Sequence, residues 1–487
     1  MRALVKNALG LFVTTLLFIG SLHAQAPDTL WTRMFGSQGS EYGACVHQTG
    51  DEGYIITGST NPFEPDSSCD LYLLKTDDTG NLLWERTYGD SLWECGRHVE
   101  PALDGGYIIV GETESYGGGE MEYPDIYLLK VDNAGDQEWY RTFGGPGMDI
   151  GYWVEQTTDG GYIIAGQLDN CADMVLIRTD SLGNALWTRT YGTGCATGFC
   201  VRQTSDQGFI AAGADFDIPG PYFGGYLVKV DSLGSEEWCV HYDDTDAKTI
   251  YYLEQTSDGG FILTGIIGDG DNFDIFLKKI FVDGSDEWTR YFDFGHWDFA
   301  YCVEQTLDGG YILAGSIDVR NPGFPDVYVL KTDPSGEREW DLELGGANAD
   351  MAKCIQQTTD GGFICCGSTV NGDPPNDDVW LIRLESEGVP VIKPDGPQPS
   401  SFTLYPAYPN PFNSSVIIQY SNLSGSEIGI YDIQGKLIRT FGTEEGSDGK
   451  VIWDATDYSG KAVSSGIYFA RARMSRGEKI IRLVLLR

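Results

Sequence analysis

Apolar and polar positions across residues 27–388 fall into short blocks that recur in a fixed order. An alternating run ends in Gln, as in the VEQT and LEQT stretches closing at Gln156, Gln255 and Gln305. A polar turn follows, Asp-Gly-Gly in most repeats, which suits the positive φ of a tight hairpin. The next run, typified by YIIAG, is apolar throughout and leaves no side for solvent. Its closing glycine recurs as Gly58, Gly111, Gly166, Gly213, Gly265, Gly315 and Gly367. A third run of the DxYLLKTD type turns through Asp-x-x-Gly into a fourth that carries a tryptophan. Those tryptophans are Trp31, Trp84, Trp139, Trp187, Trp238, Trp288 and Trp340, spaced by 53, 55, 48, 51, 50 and 52 residues. Four strand-like runs per repeat, repeated in this way, predict propeller blades.

The phase of the repeat predicts how the array ends. The chain opens with a lone tryptophan strand, Thr29 to Phe35, and the last repeat stops after its third run, Asp378 to Leu384. The first strand can therefore complete the last blade and remove two open edges. The expected fold class is all-β: a seven-bladed β-propeller whose split last blade is closed by the N-terminal strand, plus a small C-terminal antiparallel β-sandwich.

Before the repeats, Arg2 and Lys6 precede an apolar stretch from Leu11 to Leu22 and a small-x-small site at Ala24-Gln25-Ala26. This pattern predicts a secretory signal peptide over residues 1–24, cleaved after Ala24 or Ala26. The stretch is shorter than the ~20 residues of a spanning helix, and no other segment predicts a transmembrane span. The propeller is expected over residues 27–388, a Pro- and Ser-rich linker over 389–401, and a separate domain over 402–487. Period-2 runs around Ile428 to Phe441 predict antiparallel strands in that last domain.

The C-terminal motifs carry a specific resemblance. YPNPFN (Tyr408 to Asn413), IYDIQGKLIRTF (Ile430 to Phe441), WDATDYSGKAVSSGIYFARA (Trp453 to Ala472) and a basic end from Lys479 to Arg487 occur in order. The segment resembles the type A sorting domains of the type IX secretion system, found in bacteria of the Bacteroidetes kind. The resemblance implies an Ig-like sandwich handled by the type IX machinery, with passage through the periplasm and secretion or attachment at the outer cell surface. The repeats themselves resemble the tryptophan-bearing, quinoprotein-like propellers and are similar to kelch repeats in length. They depart from kelch in placing the glycine pair before the apolar strand. TSDGG (Thr256 to Gly260) resembles the Asp-box turn of sialidases, without the closing tryptophan.

Composition and charge narrow the function. The net charge of −40 argues against nucleic acid and against an anionic membrane surface as partner. Glycine, at 64 residues, is about 13% of the chain against an average of about 7%. That surplus fits many tight turns. Catalytic patterns are poor. No GxSxG elbow or phosphate loop occurs, and the four histidines beyond the signal peptide show no metal-ligand spacing.

Candidate chemistry sits on the face where long, variable loops join the second run to the third and one repeat to the next. Trp93, Trp297 and Tyr222 lie in these segments. Glu41, Glu94, Asp149, Asp298 and Asp350 stand seven residues before the Gln column or its equivalent and form a ring of acids there. Calcium is the cofactor candidate, at Asp269, Asp271 and Asp274, because hard cations need several oxygens. Disulfides are permitted in an exported chain with 11 cysteines. Cys69 with Cys95, and Cys171 with Cys195, hold matching places in two repeats and are the candidate pairs. Cys45, Cys200, Cys302 and Cys354 share one column and read as small buried fillers. The function expected is an exported propeller that binds an extracellular ligand, a glycan or a protein, through these loops. The alternatives are an extracellular enzyme acting on glycans and a structural surface protein.

Overall fold

The computed structural model describes residues 26–386, apart from 37–38, 62–67, 118–122, 171–172, 193, 217–223, 243–246, 269–271, 296, 319–324, 347 and 372–375. It also describes 403–485, apart from 405–414, 422–426, 433–435, 444–447, 459 and 475–476. The chain divides into two compact units, Met1–Val389 and Pro390–Arg487. Every regular element among the described residues is a strand.

Seven four-stranded antiparallel sheets make up the first unit, consistent with a propeller. Their strands are called A to D in pairing order, so that A of the first sheet is Glu41–Gln48 and D is Leu82–Tyr88. Six sheets are built from consecutive strands. The seventh joins Asp350–Gln357, Phe363–Asn371 and Asn376–Leu384 to Thr29–Phe35, which serves as its D strand. There Thr32 lies opposite Ile382 and Phe35 opposite Val379. Each A strand packs on the A strand of the following sheet, and that of the seventh packs on that of the first.

Burial follows the sequence pattern. B strands such as Tyr54–Thr60 are buried at every position, because a sheet lies on each side of them. D strands are largely exposed, and their tryptophans cover the next sheet. Trp84 meets Tyr107 at 6.2 Å between ring centroids and Trp139 meets Tyr162 at 6.0 Å. Trp31 makes the same contact with Tyr54 at 5.9 Å, so the N-terminal strand packs as the strands of Trp84, Trp139, Trp187, Trp288 and Trp340 do. The arginine two residues on lies over the indole, at 5.3 Å for Arg33 on Trp31, a cation–π contact that repeats at Trp84, Trp139 and Trp288.

The Asp-Gly-Gly turn has a second role beyond its positive φ. The C strand places Lys75, Lys130, Lys229, Lys279 and Lys331, or Arg178 and Arg383, inside the sheet stack. Each cation pairs with the aspartate of its own sheet's A–B turn, as Lys331 does with Asp308 at 2.9 Å and Lys279 with Asp258 at 3.0 Å. Each also donates to a carbonyl at the end of its own strand, Thr332 O for Lys331 at 3.0 Å. A buried cation left without its partner costs about 3–5 kcal/mol. This gives the turn aspartate a reason to recur.

The closing glycine of the B strand recurs for a steric reason. Opposite it every A strand bulges, between Gly43 and Cys45 in the first sheet and between Gly151 and Trp153 in the third. A Cβ on Gly58 would stand 1.6 Å from the carbonyl oxygen of Tyr42, and one on Gly213 would stand 1.8 Å from that of Thr197. Only glycine leaves room for the bulge.

In the second unit, Leu437–Gly442, Glu427–Asp432, Gly466–Met474 and Gly477–Leu485 form a four-stranded sheet in that order. Thr403–Leu404, Val416–Ser421 and Asp448–Trp453 form a three-stranded one. Residues of both sheets share a core in which the buried Trp453 ring meets Tyr468 edge-on at 5.0 Å. The motif Tyr408 to Asn413 lies outside the described residues.

Candidate functional site

The five acids predicted from the sequence head their A strands and are buried. Glu94 accepts from Ser115 N at 2.9 Å and from the Thr113 hydroxyl at 2.8 Å. Asp149 accepts from Gly145 N and Asp169 N, both at 2.7 Å. Asp298 accepts from Phe294 N at 2.6 Å and Asp350 from Gly346 N at 2.9 Å. These carboxylates fasten the incoming loop to the strand. Asp274 lies with Asp293 and Asp298, their oxygens within 4.8 Å of one another. Burial and these neighbouring acids push Asp298 up to about 6. Asp269, Asp271, Tyr222 and Cys171 lie outside the described residues. Trp297 is exposed and meets Phe273 edge-on at 6.2 Å. Cys69 and Cys95 have their Sγ atoms 3.1 Å apart, and Cys195 is half-buried.

The main cavity, about 530 Å³, lies where the A strands meet, toward the side of the predicted loops. Of the candidate site residues singled out from the sequence, Trp93 of the loop face and Cys95 of the candidate disulfide line it. Its wall includes the bulged residue of each A strand: Ala44, Arg97, Tyr152, Phe199, Tyr251, Tyr301 and Lys353. Four aromatic rings run in sequence around it. Tyr152 meets Phe199 at 5.0 Å, Phe199 meets Tyr251 at 5.4 Å and Tyr251 meets Tyr301 at 5.2 Å. Cations cap both ends of this arc. Arg97 lies 5.4 Å from the Tyr152 ring centroid and Lys353 Nζ 3.6 Å from that of Tyr301. Ala44 leaves the gap between them.

The two cations differ. Arg97 forms a fork with Glu112, Nε to Oε2 at 3.0 Å and NH2 to Oε1 at 2.6 Å. Lys353 has no carboxylate partner among the described residues. Desolvation and the charge of Arg97 lower its amine to about 8. The lining contains no aspartate or glutamate. Paired-carboxylate hydrolysis therefore has no acid or base in this wall among the described residues.

One residue further along each A strand, the side chains plug the channel. Trp153 stacks on His98 at 3.7 Å and meets Tyr252 edge-on at 5.0 Å. Cys45, Cys200, Cys302 and Cys354 fill the remaining places as buried free thiols. Two positions on, a second cavity of about 330 Å³ opens among His47, Glu100, Glu155, Arg202, Glu254 and Glu304. These glutamates tie sheet to sheet. Glu100 accepts from Gln156 N at 2.6 Å, Glu254 accepts from Gln305 N at 2.7 Å, and Glu304 accepts from Gln357 N. The Gln column reciprocates, since Gln203 Oε1 accepts from Thr158 N at 2.8 Å. The seventh and first sheets are joined in the same way, with Gln356 accepting from Gln48 N at 2.7 Å and Gln48 from Thr359 N at 2.8 Å. Burial raises Glu100 to about 7 and Glu304 to about 8. At neutral pH Glu304 is thus mostly protonated and Glu100 about half so.

The sequence reading passed over the aromatic ring. Its signal is a column four residues before the A-strand Gln, reading Ala, Arg, Tyr, Phe, Tyr, Tyr, Lys around the seven repeats.

Repeated four-stranded sheets around a central channel define a propeller-like all-β protein. Residues 406–485 match the family of secretion system C-terminal sorting domains. Such a domain marks proteins exported by the type IX system to the cell surface or outside, and this chain carries one. No curated protein matches the chain. Among solved structures it is similar to PorZ, a surface component of the type IX secretion system of Porphyromonas gingivalis, at 12% identity and a TM-score of 0.42. That match covers 93% of this chain, which spans 59% of the PorZ chain. It is also similar to a fungal alcohol oxidase of the AA5 family, solved with copper, at 10% identity and a TM-score of 0.51, over 95% of this chain and 100% of the other. At such identity the likeness concerns fold alone. No helix among the described residues is long and apolar enough to cross a membrane.

Proposed function

We propose that the chain is an exported seven-bladed propeller, its ring closed by the N-terminal strand, that binds a small acidic, ring-bearing ligand at the channel mouth. An acidic sugar residue is the ligand class that fits best. The observation carrying this reading is the arc of four aromatic rings beside the carboxylate-free amine of Lys353. Aromatic faces stack on the apolar face of a sugar ring, and the amine takes its carboxylate. Elsewhere the net charge of −40 repels anions, so a cationic spot at one cavity gives selectivity. The variable loops around the mouth set how long a chain of sugars is admitted.

Calorimetric titration with glucuronate- and galacturonate-containing oligosaccharides, against neutral ones of equal length, tests the proposal. Acidic oligosaccharides are expected to bind and neutral ones to bind more weakly. Lys353→Met is expected to weaken binding about 10- to 100-fold, and Tyr251→Ala up to about tenfold. Because the Lys353 amine is lowered to about 8, it loses its charge as pH rises. Affinity for the anion should therefore fall between about pH 7 and pH 9. Equal affinity for acidic and neutral sugars, unchanged by Lys353→Met, would refute the assignment.

Cys69 and Cys95 belong to the same reading of an exported chain. The thiols face each other at the rim of the cavity, and we assign them as a disulfide in the oxidising exterior. The closed loop of about 25 residues would stabilise the fold by about 3 kcal/mol in the chain-entropy model. Peptide mapping without reductant is expected to recover the two cysteines linked. Free alkylation of Cys69 in exported protein would be the contrary result.

A further inference from the structure

Two of the chain's five histidines meet at one point of the channel waist, beside a cysteine. Cys45 and His47 stand two apart on the A strand of the first sheet, and so face the same way. His98 occupies the column of Cys45 on the next A strand. The Cys45 sulfur and one ring nitrogen of each histidine all lie within 4.8 Å of one another. The imidazoles are perpendicular, with centroids 5.6 Å apart. His98 is held in place by its stack on Trp153 and is only 3% exposed. Neither of its ring nitrogens has a hydrogen-bond partner of ordinary geometry among the described residues. A buried imidazole left in that condition costs stability unless something takes its lone pair.

We infer that Cys45, His47 and His98 form a binding site for a borderline-to-soft d10 cation, Zn2+ or Cu+, at the waist of the channel. Mixed thiolate and imidazole donors select these ions over Ca2+ or Mg2+. The imidazoles bind such an ion through a neutral ring nitrogen and the cysteine binds as its thiolate. On binding, the one proton displaced is that of the Cys45 thiol, which leaves to solvent as the metal–sulfur bond forms. Cys45 and His98 line the upper cavity and His47 the lower one, so an ion held by all three is reachable from both mouths. Three protein donors leave a fourth position for water or a ligand. No other sheet repeats the set. The same two columns read Trp153 and Glu155, Cys200 and Arg202, Tyr252 and Glu254, Cys302 and Glu304, and Cys354 and Gln356.

The test uses the full exported chain, stripped with chelator and titrated with Zn2+ against a competing chelator, and with Co2+ as an optical reporter. One equivalent of Zn2+ is expected. Co2+ should give tetrahedral d–d bands and a thiolate-to-metal charge-transfer band. Cys45→Ser should abolish the charge-transfer band, and His98→Ala should weaken Zn2+ binding beyond the ~100-fold that loss of an outer partner costs. Cys200→Ser, a cysteine of the same column with no histidine beside it, should leave both unchanged. His47→Gln, at a half-buried position, keeps the test decisive if a buried variant misfolds, and should also weaken binding. Elemental analysis of the protein as exported separates zinc from copper. No stoichiometric uptake, or a charge-transfer band that survives Cys45→Ser, overturns the inference.

Discussion

Deleting residues 27–36 is expected to leave a protein that aggregates and shows no cooperative melting. Thr29–Phe35 supplies the outer strand of the seventh sheet, and without it Asn376–Leu384 presents an unpaired edge. That edge carries Val379, Leu381 and Trp380, all buried in the intact chain. An exposed apolar edge strand is a template for pairing with another molecule. The deletion also removes Trp31 from Tyr54 and so uncovers the first sheet. The two sheets it injures are the two that meet where the chain begins and ends its circuit. Soluble yield and a thermal melt against the full chain measure the effect. A deletion variant with unchanged melting and solubility would mean that the first strand is not structural.

Removing residues 400–487 is expected to abolish export while leaving the first unit folded. Each unit has its own core among the described residues, that of the second gathered around Trp453. Domains with their own cores survive separation. The sorting domain at 406–485 is the part that marks the chain for the type IX system. The truncated protein should therefore accumulate in the periplasm with the melting temperature of the intact repeat region. Fractionation and surface labelling decide this. Normal display of the truncated chain would remove the sorting domain from the export route, and loss of folding would mean that the units depend on each other.

Much of the fold was legible because it rests on one-dimensional signals. The Trp column, the turn glycines and the all-apolar B strands each have one structural cause. Repetition makes each of them visible seven times. The central site was less legible for a physical reason. At an A-strand bulge the alternation of side chains breaks, so Tyr152 and Trp153, adjacent in sequence, both line the channel. A period-2 reading assigns them to opposite faces. The closing glycine was visible, but its partner, the carbonyl one strand away, was not. The column of acids was legible as well, and the bonds that Glu94 and Asp149 make, to Thr113, Ser115, Gly145 and Asp169, are the kind expected where a buried carboxylate takes the N–H groups of an adjacent loop. Cys45 and His98 are 53 residues apart in the chain. They meet only because neighbouring A strands run side by side, a contact that no local spacing rule reports.

The bulge separates two jobs that most binding proteins must combine. The glycine of the B strand secures the backbone, while the residue it frees is excused from core packing and faces the opening. Seven such places, 44, 97, 152, 199, 251, 301 and 353, surround one hole. A change at most of them rewrites one part of the rim without touching the bulge that holds the backbone, whereas a change at Arg97 also strands the buried Glu112. The architecture thus resembles a dial whose letters can be exchanged on a fixed frame. A library confined to these positions, with Arg97 kept, would explore recognition with little risk to folding.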